Sequence, residues 1–252
     1  MNDSHVAIKT QLARQVAHWG DAVARVQELD DLASPAAWNG LERYLGLSIR
    51  QHLSTVAAQL SREATLLQDA LASALSVADL SAVRRQLLTL RTRYMRVETT
   101  LDFFADAINT RTTPKIAGYL RACDTLAHRS MAQLLDQLGK PTPVALTYLD
   151  KGLGASILKA RLRLWDGTSL NPVAAIKITR HNLHRPTALI HEAGHQVAHI
   201  VGWNEELASS LAAGLTDAPA GVGEAWASWA SEIAADAFAF VHTGYASVAA
   251  LH

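Results

Sequence analysis

Between residues 12 and 138 the chain repeats one arrangement, an apolar residue at every third or fourth position. One run is Leu12, Val16, Trp19, Val23 and Val26. A second is Leu53, Ala57, Leu60, Ala64, Leu67 and Leu71. A third is Val83, Leu87, Leu90, Tyr94, Val97, Leu101, Phe104 and Ile108. A fourth is Ile116, Leu120, Cys123, Ala127, then Leu134 and Leu138. Spacings of three and four gather side chains on one stripe of an α-helix, and such a stripe is stable only when another covers it. Breaks fall near Ser34-Pro35, from Ser76 to Asp79, and at Thr112-Thr113-Pro114, where threonine as cap and proline in the first turn open a helix. Residues 1–140 are therefore expected to form a bundle of four long antiparallel helices.

The pattern changes at Gly139-Lys140-Pro141-Thr142-Pro143, a helix-stopping glycine followed by two prolines. Residues 141–252 hold 9 of the 14 glycines and 5 of the 7 prolines, so the second domain is expected to span 141–252. Val144 to Leu149 is β-prone. Leu158, Ala160, Leu162 and Leu164 alternate with Lys159, Arg161 and Arg163, and Asp166-Gly167-Thr168-Ser169 reads as a turn. Val173 to Thr179 is a further strand candidate. From Arg185-Pro186 the period becomes helical to about Val201, where Gly202 stops it, and one last helix is expected from about Gly223 to Val241. The fold class is α+β, mostly α: a long helical bundle followed by a small domain with a short β-sheet.

Composition excludes several classes. Lys plus Arg and Asp plus Glu number 23 each, so no net charge draws the chain to nucleic acid or an anionic membrane. Arg84, Arg85, Arg91, Arg93 and Arg96 read as a solvated face paired with acids. Cys123 is the single cysteine, so no intrachain disulfide forms. The first residues lack the pattern of a secretory signal, and no apolar run is of bilayer length. The expected location is the cytoplasm.

The chemistry is carried by His191-Glu192-Ala193-Gly194-His195, an HExxH sequence inside an apolar helix. Residues four apart share a helix face, so two imidazoles there reach one zinc ion at about 2.0–2.1 Å. Glu192, rotated from that face, is placed to take a proton from a zinc-bound water during attack on a carbonyl and to return it to the leaving amine. Catalytic zinc usually takes three protein ligands, and Glu232 and Asp236, one turn apart on the last helix, offer carboxylates. Glu232 is expected as the third ligand and Asp236 as the acceptor that orients a ligand histidine.

This pattern resembles the glutamate-zincin, thermolysin-like metallopeptidases. His191-Glu192-x-Gly194-His195-x-x-x-His199, followed by Glu232-x-x-Ala235-Asp236-x-Phe238-Ala239, is similar in particular to the ImmA/IrrE family of bacterial peptidases, whose members cut regulatory proteins such as repressors. The resemblance covers roughly residues 172–240. It implies His191, His195 and Glu232 as ligands of one zinc ion per chain, Glu192 as base and Asp236 as supporting partner.

Neighbouring residues have other readings. His199 lies about 12 Å along a straight helix from His191, too far to share the ion. Glu224 is a fallback ligand, and its place at a helix start suits the helix dipole. His181 and His184 read as loop residues. His242 and Tyr245 are candidates to stabilise an oxyanion. The expected function is hydrolysis of peptide bonds in a protein or peptide substrate, with a strand near 172–180 bordering the cleft and pairing with an extended peptide. The bundle would position the substrate, cover the cleft or mediate self-association. The alternatives are a helical scaffold with a structural or inactive zinc site, and a non-peptidase zinc hydrolase with an enclosed pocket.

Overall fold

The computed structural model describes residues 3–151, 154–160 and 170–250. Its elements run α1 (Asp3–Val26), α2 (Pro35–Leu45), α3 (Ile49–Ser73), α4 (Val77–Asn109), α5 (Pro114–Leu135), β1 (Val144–Leu149), β2 (Ser156–Leu158), β3 (Val173–Ile178), α6 (Thr187–Val201), α7 (Trp203–Gly214), α8 (Val222–Ser228), α9 (Ala230–Thr243) and α10 (Tyr245–Ala249). Short 3-10 turns cover Leu29–Asp31 and Arg180–His184. The fold is α+β and mostly α, and no helix among the described residues is long and apolar enough to cross a membrane.

By packing the chain divides into two compact units at residues 105 and 106. In the first, the expected seams are the core: Leu53, Ala57, Leu60, Ala64, Leu67 and Leu71 of α3 and Val83, Leu87, Leu90, Val97, Leu101 and Phe104 of α4 are all buried. Trp19 of α1 packs edge-on against Tyr94 with ring centroids 5.2 Å apart. Ser34 caps α2, accepting the Ala37 N–H at 3.3 Å, and Trp38 is fully buried with its indole N–H on the Leu29 carbonyl. Two of the α4 arginines have partners on neighbouring helices: Arg93 pairs with Glu63, and Arg91 lies over the Trp19 ring at 5.9 Å.

The fourth expected bundle helix, α5, belongs to the second unit. The packing division therefore lies one helix earlier than the composition change at Gly139–Pro143. Leu120, Cys123, Ala127, Met131 and Leu135 of α5 share one core with Ala145, Ile176, Ile178, Leu189, Ile190, Ala193, Val197 and Phe238. Its buried register is Met131 and Leu135, and not Leu134 and Leu138. The helix ends at Leu135, and Leu138 lies exposed beyond it. Thr113 and Pro114 do open α5, although the Thr113 side chain accepts no cap hydrogen bond.

The sheet has three strands in the order β1-β3-β2, with β1 parallel and β2 antiparallel to β3. Val144 faces Val173 and Leu149 faces Ile178 in the first pairing; Ser156 faces Lys177 in the second. β3 is thus the central strand, engaged on both sides, and the expectation that it offers an edge to a peptide is corrected; the outer strands are β1 and β2. Of the strand expected over 158–164, only Leu158 lies in a strand, as the last residue of β2, and Lys159 and Ala160 lie beyond its end; the part at 161–164, and the turn at 166–169, lie outside the described residues.

A buried polar network ties α5 to β1. Asp124 accepts from Arg111 Nη2 at 2.8 Å, from the Thr147 backbone N–H at 2.6 Å and from the Thr147 hydroxyl at 2.6 Å, while Arg111 also donates to the Thr147 carbonyl at 2.7 Å. Removing one member of a buried pair leaves the other charge without its counter-ion. Asp124→Ala is therefore expected to cost about 3–5 kcal/mol in urea denaturation, whereas an exposed exchange such as Asp69→Ala stays within about 0.5 kcal/mol.

Candidate metal centre

The site is built on two helices, α6 and α9. α6 follows Pro186 and ends at Gly202, whose left-handed φ of 73° closes the helix. Leu189, Ile190, Ala193, Val197 and Ala198 bury it in the core of the second unit. Three polar residues are buried with them: Glu192, His195 and Gln196. Gln196 is satisfied as a strand neighbour would be. Its Oε1 accepts the Ala160 N–H at 2.6 Å and its Nε2 donates to the Ala160 carbonyl at 3.3 Å, which fastens α6 to the chain just after β2.

α9 crosses α6 at Gly194. A β-carbon there would lie 2.9 Å from Ala235 Cα, 3.0 Å from the Ala235 carbonyl oxygen and 3.0 Å from Phe238 Cβ. Backbone meets backbone at this point, with small residues on both sides. His191 and His195 flank Gly194 on one helix, and Glu232 and Asp236 flank Ala235 on the other, so the close approach brings the four side chains together.

Their contacts are specific. His191 Nδ1 lies 2.8 Å from Asp236 Oδ1, and a carboxylate only accepts, so Nδ1 carries the proton. His195 Nδ1 lies 3.1 Å from Ser231 Oγ, which accepts its proton in the tautomer that leaves Nε2 bare. The two Nε2 atoms then present lone pairs to Glu232 Oε2, at 3.3 Å from His191 and 3.5 Å from His195. Ligands of a tetrahedral zinc, each about 2.0–2.1 Å from the ion, stand about 3.3–3.4 Å from one another. One ligand atom from each of His191, His195 and Glu232 falls within 4.8 Å of the others, and these residues form the group fit for a metal ion among the described residues. Burial lowers the pKa of His195, which Glu232 partly offsets, and this keeps the ring neutral, as a metal ligand must be.

Glu192 is buried beside the trio. Burial raises its pKa to about 7, with His191 working against this and Glu232 adding to it. It lines a cavity of about 450 Å³ with His191, Asp236, His181, Asn182 and Arg185. A second cavity of about 660 Å³ also borders His191 and Asp236, lined further by Ala225, Trp226, Trp229, Ile233 and Glu232.

The remaining candidates lie apart from the trio. His199 is half-buried in the last turn of α6, its pKa lowered by burial. The helix expected from Gly223 to Val241 is two helices, broken at Trp229, so Glu224 sits in the first turn of α8 and Glu232 in the first turn of α9. His242 gives its Nδ1 to the Phe238 carbonyl at 2.9 Å and stacks on the Phe238 ring. Tyr245 is exposed, and neither it nor His242 lines the two cavities. His181 does border the cavity beside Glu192, while His184 packs edge-on against Tyr119. Ser231, Arg185 and the two tryptophans did not emerge from the motif. The signal for Ser231 was its place one turn before Ala235 on the face that meets Gly194.

A scan against protein-family models, a search of curated proteins and a search of solved structures each found no match to this chain.

Two predictions follow from the geometry. Gly194→Ala forces α6 and α9 apart, costing about 1–3 kcal/mol in thermal unfolding and weakening zinc binding measured by competition with a chelator; an unchanged zinc affinity would refute the crossing's role. The second concerns metal-free protein. Below the ordinary value of 4.5, Glu192 is protonated folded and unfolded alike; as pH rises to about 7 only the unfolded chain ionises, so stability falls by about 3 kcal/mol and then levels. His195, with its lowered pKa, works the other way, adding stability as pH rises through the ordinary histidine range. Glu192→Gln should remove the first slope alone, seen as a gain over wild type that grows from pH 5 to pH 7 in urea denaturation; parallel curves would contradict the burial of an ionisable Glu192.

Proposed function

We propose that this chain is a zinc-dependent metallopeptidase of the glutamate-zincin type, hydrolysing a peptide bond in a protein or peptide substrate in the cytoplasm. One observation carries the reading: His191 Nε2 and His195 Nε2 lie 3.3 and 3.5 Å from Glu232 Oε2, with the protons of both rings directed away from it, to Asp236 and Ser231. Such a cluster of lone pairs repels itself unless a cation sits among them. When bound, zinc supplies a Lewis acid that polarises a carbonyl and acidifies water.

The chain's own residues do the rest. Asp236 fixes the tautomer and orientation of His191, and Ser231 does so for His195. Glu192, in the cavity beside His191 and with a pKa raised to about 7, is poised to take a proton from water and hand it to the leaving amine. Two cavities border His191 and Asp236, and they offer space beside the site for a substrate.

Elemental mass spectrometry after zinc reconstitution tests the site, with a pool of internally quenched peptides to test the activity. About one zinc per chain is expected in wild type and in Glu192→Gln, and loss of it in His195→Ala. Peptide cleavage is expected to fall by about 10²–10⁴-fold in Glu192→Gln while its zinc stays. A wild-type chain that takes up no zinc would overturn the enzyme reading and make the helical bundle the working part.

A further inference from the structure

The first compact unit carries a groove that the proposed hydrolysis does not use. α3 and α4 line it together, and its volume is about 410 Å³. Leu66, Leu67 and Leu90 supply its apolar surface, and Leu66 is 66% exposed. Arg85 and Arg93 of α4 and Glu63 of α3 stand at its polar border. Glu63 is the single acid among the residues that line it, and Arg93 pairs with it. Arg85 is exposed, with no acid in ion-pair reach among the described residues. Arg96 is in the same condition, about three turns beyond Arg85 on the same side of α4. Residues 80–97 hold five arginines and no acid, so this side of the groove is cationic although the whole chain is neutral. The expectation that these arginines pair with acids is met, among the described residues, by Arg93 alone.

We propose that the α3–α4 groove docks an amphipathic helix of another protein, with an apolar stripe along one face and Asp or Glu beside that stripe. A lone exposed leucine is ordinary on a protein surface. Leu66 is different because it lies in a concavity, with Leu67 and Leu90 lining the same space and unpaired guanidinium groups at the border. Two packed helices leave between them a groove that the ridge of a third can fill, with its residues at i, i+3, i+4 and i+7 as anchors. Those anchors would rest on the three leucines. The flanking carboxylates would meet Arg85 and Arg96, which sets the direction and register of the docked helix. The Thr89 hydroxyl is already committed to the Arg85 carbonyl at 3.1 Å, so the arginines carry the polar recognition. No aromatic side chain lines the groove, and nucleobases therefore find no stacking platform in it. The groove belongs to the first compact unit alone, so the proposal stands whether or not the second unit binds zinc.

The test uses the full chain and two fluorescein-labelled helical peptides with the same leucine stripe, one flanked by glutamates and the other by lysines. Binding is read by fluorescence anisotropy at low and at physiological salt. The glutamate peptide is expected to bind about tenfold or more tighter than the lysine peptide, with the gap narrowing as salt rises. Arg85→Glu combined with Arg96→Glu should reverse that order. Both positions are exposed, so circular dichroism and the melting temperature should stay near wild type. A reversal by charge is a result that a general loss of structure does not give. Leu66→Ser should weaken the glutamate peptide by about fivefold or more. Equal affinity for the two peptides, or no binding of the glutamate peptide, would overturn the proposal. So would a labelled oligonucleotide or a phosphatidylserine vesicle that binds more tightly than the glutamate peptide and is released by the arginine exchanges. Light scattering that finds a dimer in wild type and a monomer in Leu66→Ser would assign the groove to a second copy and overturn it too. None of these outcomes bears on the metal centre.

Discussion

The backbone contact between Gly194 and Ala235 sets the distance on which the rest of the site depends. Helices in contact usually stand 8–10 Å apart, separated by their side chains. Here a β-carbon at 194 would lie 2.9 Å from Ala235 Cα, so only glycine permits the crossing. Because His191 and His195 bracket Gly194, and Glu232 and Asp236 bracket Ala235, one close approach positions two imidazoles against two carboxylates. A wider crossing would leave the same residues on the same faces but out of mutual reach. The motif therefore carries a packing instruction within its chemistry.

The second unit is arranged to hold that crossing still. α6 is clamped on several sides: by the Leu120-to-Leu135 face of α5, by β3 beneath it, and by the Gln196 amide bound to Ala160. α5 is itself fixed to β1 through Arg111, Asp124 and Thr147. Buried polar groups recur along this path, and each one named here has its hydrogen-bond partner on the protein. Glu192 stands out as a buried carboxyl whose pKa is raised to about 7, chiefly by desolvation. A group kept in that condition at neutral pH is suited to proton transfer, since it can hold or release a proton at little cost.

Much of this was legible in the sequence because it depended on periodicity. The apolar run of α3 is buried throughout, that of α4 is buried except at half-buried Tyr94, Gly202 closed α6, and the strands at 144–149 and 173–178 lay where β-prone residues put them. The convergence of His191, His195 and Glu232 could be anticipated from spacings of four on two helices. What escaped was set by tertiary contacts. α5 has the same heptad-like seam as the bundle helices, and nothing local says that its seam faces a sheet. Its register moved to Met131 and Leu135 because the helix stops at Leu135, before Leu138 could join the stripe. The break at Trp229 has no glycine or proline to announce it, and so two helices read as one. β3 was mistaken for an edge because strand order is a property of the whole chain. Ser231 is an ordinary helix residue until His195 is seen beside it.

The central claim is that these three residues share one zinc ion. Anomalous diffraction on either side of the zinc absorption edge, from crystals grown with zinc, tests it without reference to any substrate. The account predicts a peak about 2.0–2.2 Å from His191 Nε2, His195 Nε2 and a Glu232 oxygen, with Asp236 still on His191 Nδ1. A peak lying elsewhere, or no peak at the trio in zinc-saturated crystals, would contradict it.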